Sequence, residues 1–281
     1  MRDVSRRDFL GVAIAAGVRL RHQTGEKVSF YLGGRLLFEY RYDPSRPKTY
    51  VHPLCAPDGS EITLDGPADH VHHRGLMLAW SDVNGFDFWG EVNPGPHGRI
   101  VHRRFQRIGG RQVVAINHWI AEQKVLLVER RIIRALDAGW LEWESELRPA
   151  AGPVTLAADK HVYNGLGIRF AHDLDRGSVL NANGTADIKR ANGEAAVWCA
   201  YYGSAGAAIF DHPSNPRHPT PFFVMNEPFG YLSAAPTFRE PLRLEPGGAL
   251  RLRYAVVAFA GAPQNLDKLY ESWASRSERS A

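Results

Sequence analysis

Cysteine is nearly missing from this chain of 281 residues: only Cys55 and Cys199 occur, far apart, and neither belongs to a CxxC pair. That excludes a cysteine-built zinc site and leaves room for one disulfide at most. No stretch approaches the roughly 20 consecutive apolar residues that a spanning helix needs, so stable membrane insertion is not expected. Charge of one sign is also scarce. The net charge is only +4, the arginines are scattered, and aromatic residues do not interleave with basic runs, which argues against nucleic acid as a partner. There is no HExxH pair, no phosphate-loop spacing, no internal repeat and no low-complexity segment. With 44% apolar and 23% charged residues, the composition is that of an ordinary folded chain.

The N-terminal "SRRDFLGVAIAAGV" places Arg6-Arg7 ahead of Phe9-Leu10 and a short apolar run. It resembles a twin-arginine export signal, an address rather than an anchor. The run stops at Val18 and "RLRH" follows with no Ala-x-Ala cleavage site after it, so a short N-terminal helix of a cytoplasmic protein is the alternative. On the export reading residues 1–25 lie outside the fold, residues 26–281 form one domain, and the protein is periplasmic.

From Glu26 onward the pattern is strands. "KVSFYLGGRLLFEYRY" reads as two strands around Gly33-Gly34, a hairpin signal. In "GWLEWESELRPA", Leu141, Trp143, Ser145 and Leu147 share one face, and Glu142, Glu144 and Glu146 the other. "AAVWCAYYG", "GAAIF" and "ALRLRYAVVAFAG" continue the theme, and "APQNLDKLYESWASRSE" is the clearest helix. Many short strands with turn signals and few helices predict an all-β fold, a large antiparallel β-sandwich with a short C-terminal helix.

Two polar segments stand out. "ADHVHHRGLMLAWSDVNGFDFWGE" carries His70, His72, His73 and Arg74 immediately before an apolar run. Read as an extended strand, it turns His70 and His72 to one face and His73 to the other, with Gly75 marking a close backbone approach. Imidazoles beside a guanidinium favour their neutral form, which accepts protons or binds metal. Acid–base chemistry by His70, His72 or His73 is therefore the leading expectation. No cofactor follows from the residues, and a divalent metal on His70 and His72 is the alternative, for which no third ligand lies nearby. Trp89 and Glu91 form a typical sugar-binding pair, or else a core ring and a solvated turn charge.

In "FDHPSNPRHPTPFF" the prolines at 213, 216 and 219 recur every third residue, which predicts a polyproline II rod. Its two polar ridges hold His212, Asn215 and His218, and Asp211, Ser214, Arg217 and Thr220. Asp211 and His212 are candidates for the chemistry, while Asn215, Arg217 and His218 are candidates for binding, with Asn226 and Glu227 following closely. Lys160, in "AADKHVYNGLGIRF" with His161 and Asn164, is a further binding candidate.

On "YVHPLCAPDGSEITLDGPADHVHHRGLMLAWSDVNGFDFWGE" and "DHPSNPRHPTPFFV" the chain resembles the PmoA-like family over roughly residues 27–269. That bacterial family is often labelled "methane oxygenase PmoA", although a methane monooxygenase subunit is a membrane protein and this chain has no spanning run. The resemblance implies an exported protein with a galactose-mutarotase-like supersandwich fold that handles a small-molecule carbohydrate. It further implies that His70, His72, His73 and Arg74 share one site with Asp211, His212, Asn215, Arg217 and His218. Arg74, Trp89 and Glu91 would then hold the sugar. A lyase, epimerase or hydrolase reaction, a metal-dependent enzyme including the oxygenase type, and a non-catalytic carbohydrate-binding protein are the readings it leaves open.

Overall fold

A computed structural model of the chain describes residues 17–92, 94–137, 139–158 and 162–276. The Arg6-Arg7 segment lies outside these residues, and so does Lys160. Pairing begins earlier than the expected boundary at residue 26, because β1 (Arg19–Gln23) lies against β2 (Lys27–Leu32) in one sheet. The hairpin at Gly33-Gly34 leads into β3 (Arg35–Arg41), followed by β4 (Tyr50–Leu54), β5 (Leu76–Trp80) and β6 (Asp82–Val83). A meander of long strands comes next: β7 (Arg99–Gly109), β8 (Gln112–Ala121), β9 (Lys124–Asp137) and β10 (Trp140–Pro149). Then come β11 (Val154–Ala157), β12 (Asn164–Arg169), β13 (Ser178–Asn181), the helical turn α1 (Ile188–Ala191), β14 (Trp198–Tyr202) and β15 (Ala205–Asp211). The chain continues through β16 (Phe222–Met225), β17 (Tyr231–Ala234), β18 (Leu242–Leu244) and β19 (Leu250–Ala260) to α2 (Leu266–Ala274).

Two eight-stranded sheets result. Their orders are β1-β2-β3-β4-β5-β12-β17-β16 and β13-β14-β15-β19-β10-β9-β8-β7, with β18-β11-β6 as a small third sheet. Every ladder between these strands is antiparallel. The fold is therefore the large antiparallel β-sandwich with a short C-terminal helix that the strand pattern predicts.

Alternation explains the layers. Leu141, Trp143, Ser145 and Leu147 of β10 are buried, three of them in a core that also takes Tyr40, Trp80, Trp119 and Tyr254 from both sheets. Trp80 and Trp119 meet across it at 5.9 Å. The outer face of the second sheet is covered by α2, whose Leu266 and Trp273 pack on Ala208, Phe210, Ala255 and Val257. Glu142, on that outer face, is not solvated: Trp273 and Arg253 both donate to it. All five residues of β5 are buried, because turns cover its outer face as the core covers its inner one. Gly75 (φ +54) enters this strand so closely that a Cβ would lie 2.4 Å from the Val51 carbonyl oxygen, the close approach expected from sequence. Cys55 and Cys199 are free and buried. Among the described residues no helix is long and apolar enough to cross a membrane.

Candidate functional site

The histidine-rich segment is not a strand. Two tight turns deliver the chain to β5, with His70 N donating to Pro67 O at 3.0 Å and His73 N to His70 O at 3.0 Å. Within them the only bridge to a neighbour is Asp65 with Arg74. Pro67 has no N–H to give to a ladder, and Gly66 turns through φ +59. The expected split of His70 and His72 from His73 is therefore lost. All three rings converge: His70 stacks on His73 at 4.8 Å, and His72 meets His70 at 5.6 Å and His73 at 4.6 Å.

Their floor is the outer face of the first sheet, where β12 and β17 pair Gly167 with Ser233 and Arg169 with Tyr231. Gly167 has a local reason: a Cβ there would lie 2.4 Å from the Tyr231 hydroxyl. The Tyr231 ring reaches His73 at 5.1 Å and Trp89 at 5.6 Å. Phe229, leading into β17, packs edge-on against His70 and His73 and lies under the Arg169 guanidinium at 3.9 Å.

Seven buried side-chain atoms in this group have no hydrogen-bond partner: Nδ1 of His72 and of His73, Nε and Nη1 of Arg169, the Tyr231 and Ser233 hydroxyls, and Trp89 Nε1. Buried polar atoms almost always have a partner, and each one left without costs about 1–3 kcal/mol. Four on the β12–β17 face, with three more on the turns and Trp89, make this the largest group of unpartnered polar atoms among the described residues. Burial, helped by Lys48, pushes the His72 imidazole down to about 4. Burial and then the neighbouring His72 and His70 push His73 lower still. Both rings are thus neutral near pH 7. His70 sits at the rim, its Nδ1 3.0 Å from Asp69 Oδ2, with the two side chains 31% and 47% exposed.

Arg74, Trp89 and Glu91 do not take the sugar-holding places expected of them. The Arg74 guanidinium is spent on Glu91, through bonds of 3.1 and 2.5 Å, and on Asp65 at 3.2 Å. Lys48 completes the network, 3.2 Å from Glu91 and donating to the His72 and Trp89 carbonyls. Trp89 is 1% exposed and stacks on Tyr163 at 5.4 Å, so its ring is a wall rather than an open platform. These residues hold the turns in place from below.

The proline-spaced strip departs further from expectation. Residues 211–220 form successive turns, with Asn215 N on His212 O and His218 N on Asn215 O, and Arg217 at φ +65. The prolines punctuate turns here instead of forming a rod. Asp211 is fully buried. Its carboxylate accepts from Asn215 Nδ2 at 2.7 Å and Thr220 N at 2.9 Å, and His218 Nδ1 lies 2.8 Å away. His212 Nε2 meets Arg253 Nη1 at 3.0 Å, and Arg217 donates to the carbonyls of Pro236, Glu240 and Pro241. These partners belong to the second sheet and to the 236–241 segment, whereas the histidine turns rest on the first sheet. The shared site implied by the family resemblance is not assembled by these contacts.

The remaining candidates also fall into place. Asn164 is buried, bonded to Val162 O and Thr237 N. Asn226 donates to Gly177 O, and Glu227, 69% exposed, faces Arg176; neither joins the strip. Among the described residues no group of three or more His, Cys, Asp or Glu side chains is placed to hold a metal ion. Sequence reasoning passed over Arg169, Tyr231, Ser233 and Lys48. A signal existed for the first three. In "NGLGIRF" one arginine interrupts an apolar strand, and in "GYLSA" a tyrosine and a serine alternate onto one face.

The family match covers residues 27–274, under the description "Family of unknown function (DUF6807)". The chain belongs to DUF6807. Comparison of this DUF6807 protein with curated proteins found no match. Among solved structures it is similar to a heparan sulfate lyase from Pedobacter heparinus, with 9% identity over 85% of this chain and 36% of that one, at a TM-score of 0.45. A galactose mutarotase related enzyme from Lactobacillus acidophilus matches with 8% identity over 88% and 99% of the two chains, at 0.40. A GalM/aldose epimerase homologue from C. elegans matches with 12% identity over 88% and 100%, at 0.43. The DUF6807 chain thus spans about a third of the lyase and nearly all of the other two. Likenesses this weak carry no argument, and the sandwich rests on its own coordinates.

Proposed function

We propose that this protein is a carbohydrate-active enzyme that moves a proton on its ligand with the imidazoles of the His70–His73 turns. One observation carries the reading: four unpartnered polar atoms of Arg169, Tyr231 and Ser233 on the outer face of β12 and β17, with Trp89 Nε1, accompany two neutral imidazoles whose own Nδ1 atoms have no partner. Hydroxyl-rich molecules are the ligands that satisfy many donors and acceptors at once. In the reaction, an imidazole nitrogen without a partner takes a proton from a C–H or O–H of the ligand, and the imidazolium so formed gives that proton back to the ligand. Asp69 orients His70 at the rim through Nδ1, leaving Nε2 for the ligand.

This chemistry suits isomerisation or elimination better than two-carboxylate hydrolysis, which needs a matched acid pair. Asp65 and Glu91, the carboxylates beneath the turns, are both tied to Arg74. Export by the twin-arginine route belongs to the same proposal and rests on Arg6-Arg7; cell fractionation tests it, and retention in the cytoplasm would overturn it.

The deciding experiment is product analysis on a library of glycosides and free sugars, with His72→Phe and His73→Phe as controls. The expected result is a product whose rate falls about 100-fold or more in either variant, the usual weight of a general acid or base. Saturable sugar binding with no product from any member would make this a binding protein instead. Unchanged turnover in both variants would place the chemistry elsewhere.

A further inference from the structure

Among the described residues four arginines are buried, and three of them invite comparison. Arg131, in the core, donates to both Glu129 oxygens at 2.7 and 2.8 Å and to the Thr49 carbonyl and hydroxyl at 3.0 and 2.7 Å. Arg74 is held by Glu91 and Asp65. Both follow the rule that a buried charge is paired and hydrogen-bonded. Arg169 does not. It is fully buried, its Nε and Nη1 have no partner, and Nη2 reaches Asp69 Oδ2 only at 3.5 Å.

The surrounding charges sharpen the exception. Lys48 and Arg74 are answered within their own network by Glu91 and Asp65. Asp69 is 47% exposed and also serves His70, so it answers Arg169 poorly. A guanidinium fixed on a rigid strand, with donors uncommitted and one face against Phe229, is the arrangement that receives a carboxylate. The Tyr231 hydroxyl, on the residue paired with Arg169 across the ladder, lies over Gly167 and has no partner either.

We propose that Arg169 receives a carboxylate of the ligand, so that, on the carbohydrate reading above, the substrate class is acidic sugars such as uronates. The placement fits the proton transfer. A carboxylate paired with Arg169 takes up electron density as the adjacent C–H bond breaks, the proton passing to a neutral imidazole nitrogen and the electron pair spreading into the carboxylate. A neutral sugar would leave the buried guanidinium with only Asp69 at 3.5 Å and the field of Asp175 as counter-charge, and with Nε and Nη1 still unbonded.

The test is calorimetric titration of the full chain with glucuronate and galacturonate, with glucose and galactose, with the methyl ester of glucuronate, and with malate as a carboxylate that is not a sugar. Wild type is expected to bind the acids about ten-fold or more tightly than the neutral sugars or the ester, the usual gain from a charge-assisted pair. Arg169→Met should abolish that preference, and Arg169→Lys should keep part of it. The wild-type comparison of acid with ester stands even where a variant fails to fold. Equal binding of acid and ester, or a preference surviving Arg169→Met, overturns the inference while the carbohydrate reading stands. Malate bound through Arg169 with no sugar bound upholds the carboxylate site and overturns the carbohydrate reading. No binding of any acid overturns the inference.

Discussion

Two histidine-bearing segments of this sandwich, residues 66–75 and residues 211–220, look alike on paper and differ in one physical respect. In the second, nearly every buried polar atom is answered. Asp211 takes three partners, Asn215 both donates to and accepts from its neighbours, and His212 lies on Arg253; the Thr220 hydroxyl is the exception. In the first, the ion pairs of Arg74 and Lys48 are answered while Nδ1 of His72 and of His73 and the β12–β17 face that floors them are not. A satisfied polar network holds a fold together, and an unsatisfied one waits for a ligand. Richness in histidine does not separate the two, but the state of their hydrogen bonds does.

The comparison breaks most visibly at Asp211. Asp211→Ala removes a buried carboxylate and strands its donors, so urea unfolding should show a loss of about 3–5 kcal/mol, with ligand affinity unchanged in whatever remains folded. Loss of less than 1 kcal/mol would mean that the strip does not brace the fold. Next in size, His73→Phe exchanges an imidazole lacking an Nδ1 partner for an apolar ring. Stability should change little, since removing an unsatisfied group is nearly neutral, while activity falls about 100-fold or more. Stability lost in step with activity would make the histidine a structural one.

Acid sharpens the contrast. Burial holds His72 at about 4, below its ordinary 6.5, so between those values the unfolded chain binds the proton and the folded chain does not. Stability is complete above pH 6.5 and falls as the pH drops towards 4, by at most about 1.4 kcal/mol per pH unit for such a group. His52 and His102 are also held at about 4 and steepen the wild-type profile. His72→Gln should therefore flatten the slope in urea titrations between pH 4 and 6.5 without levelling it. An unchanged slope would show that this ring is not buried in its neutral form. The smallest effect is expected at Tyr231, where Tyr231→Phe removes an unpartnered buried hydroxyl. The melting midpoint should hold or rise by the equivalent of about 0–1 kcal/mol, while ligand affinity falls. A clear loss of stability would reveal a structural partner for the hydroxyl.

Parts of this molecule were legible because they depend on neighbours in sequence. The hairpin at Gly33-Gly34, the alternation of β10, the buried run of β5 and the apolar stripe of α2 each follow from local geometry, and each is found in the structure. Turns that look like strands were not legible. Alternation cannot report that Pro67 and Gly66 fold His70–His73 back on themselves, nor can proline spacing report that turns replace a rod at 213–219. Arg74 and Glu91 read as ligand contacts until they pair with each other and Lys48, distant in sequence, joins them with Asp65.

The residues alone therefore determined the layers, since which side of a strand is apolar is written along the strand itself. They also determined that neutral forms of His72 and His73 would be favoured, whereas the strand reading set His73 apart and only the turns brought the three rings together. Only the tertiary structure decided which polar atoms were paired. It set Asp211 into a closed network on the second sheet and left Arg169, Tyr231 and Ser233 facing the histidines with bonds to offer. The physical reason is that a hydrogen bond between distant segments depends on register and on what packs above it, and neither quantity has a local signature in the chain.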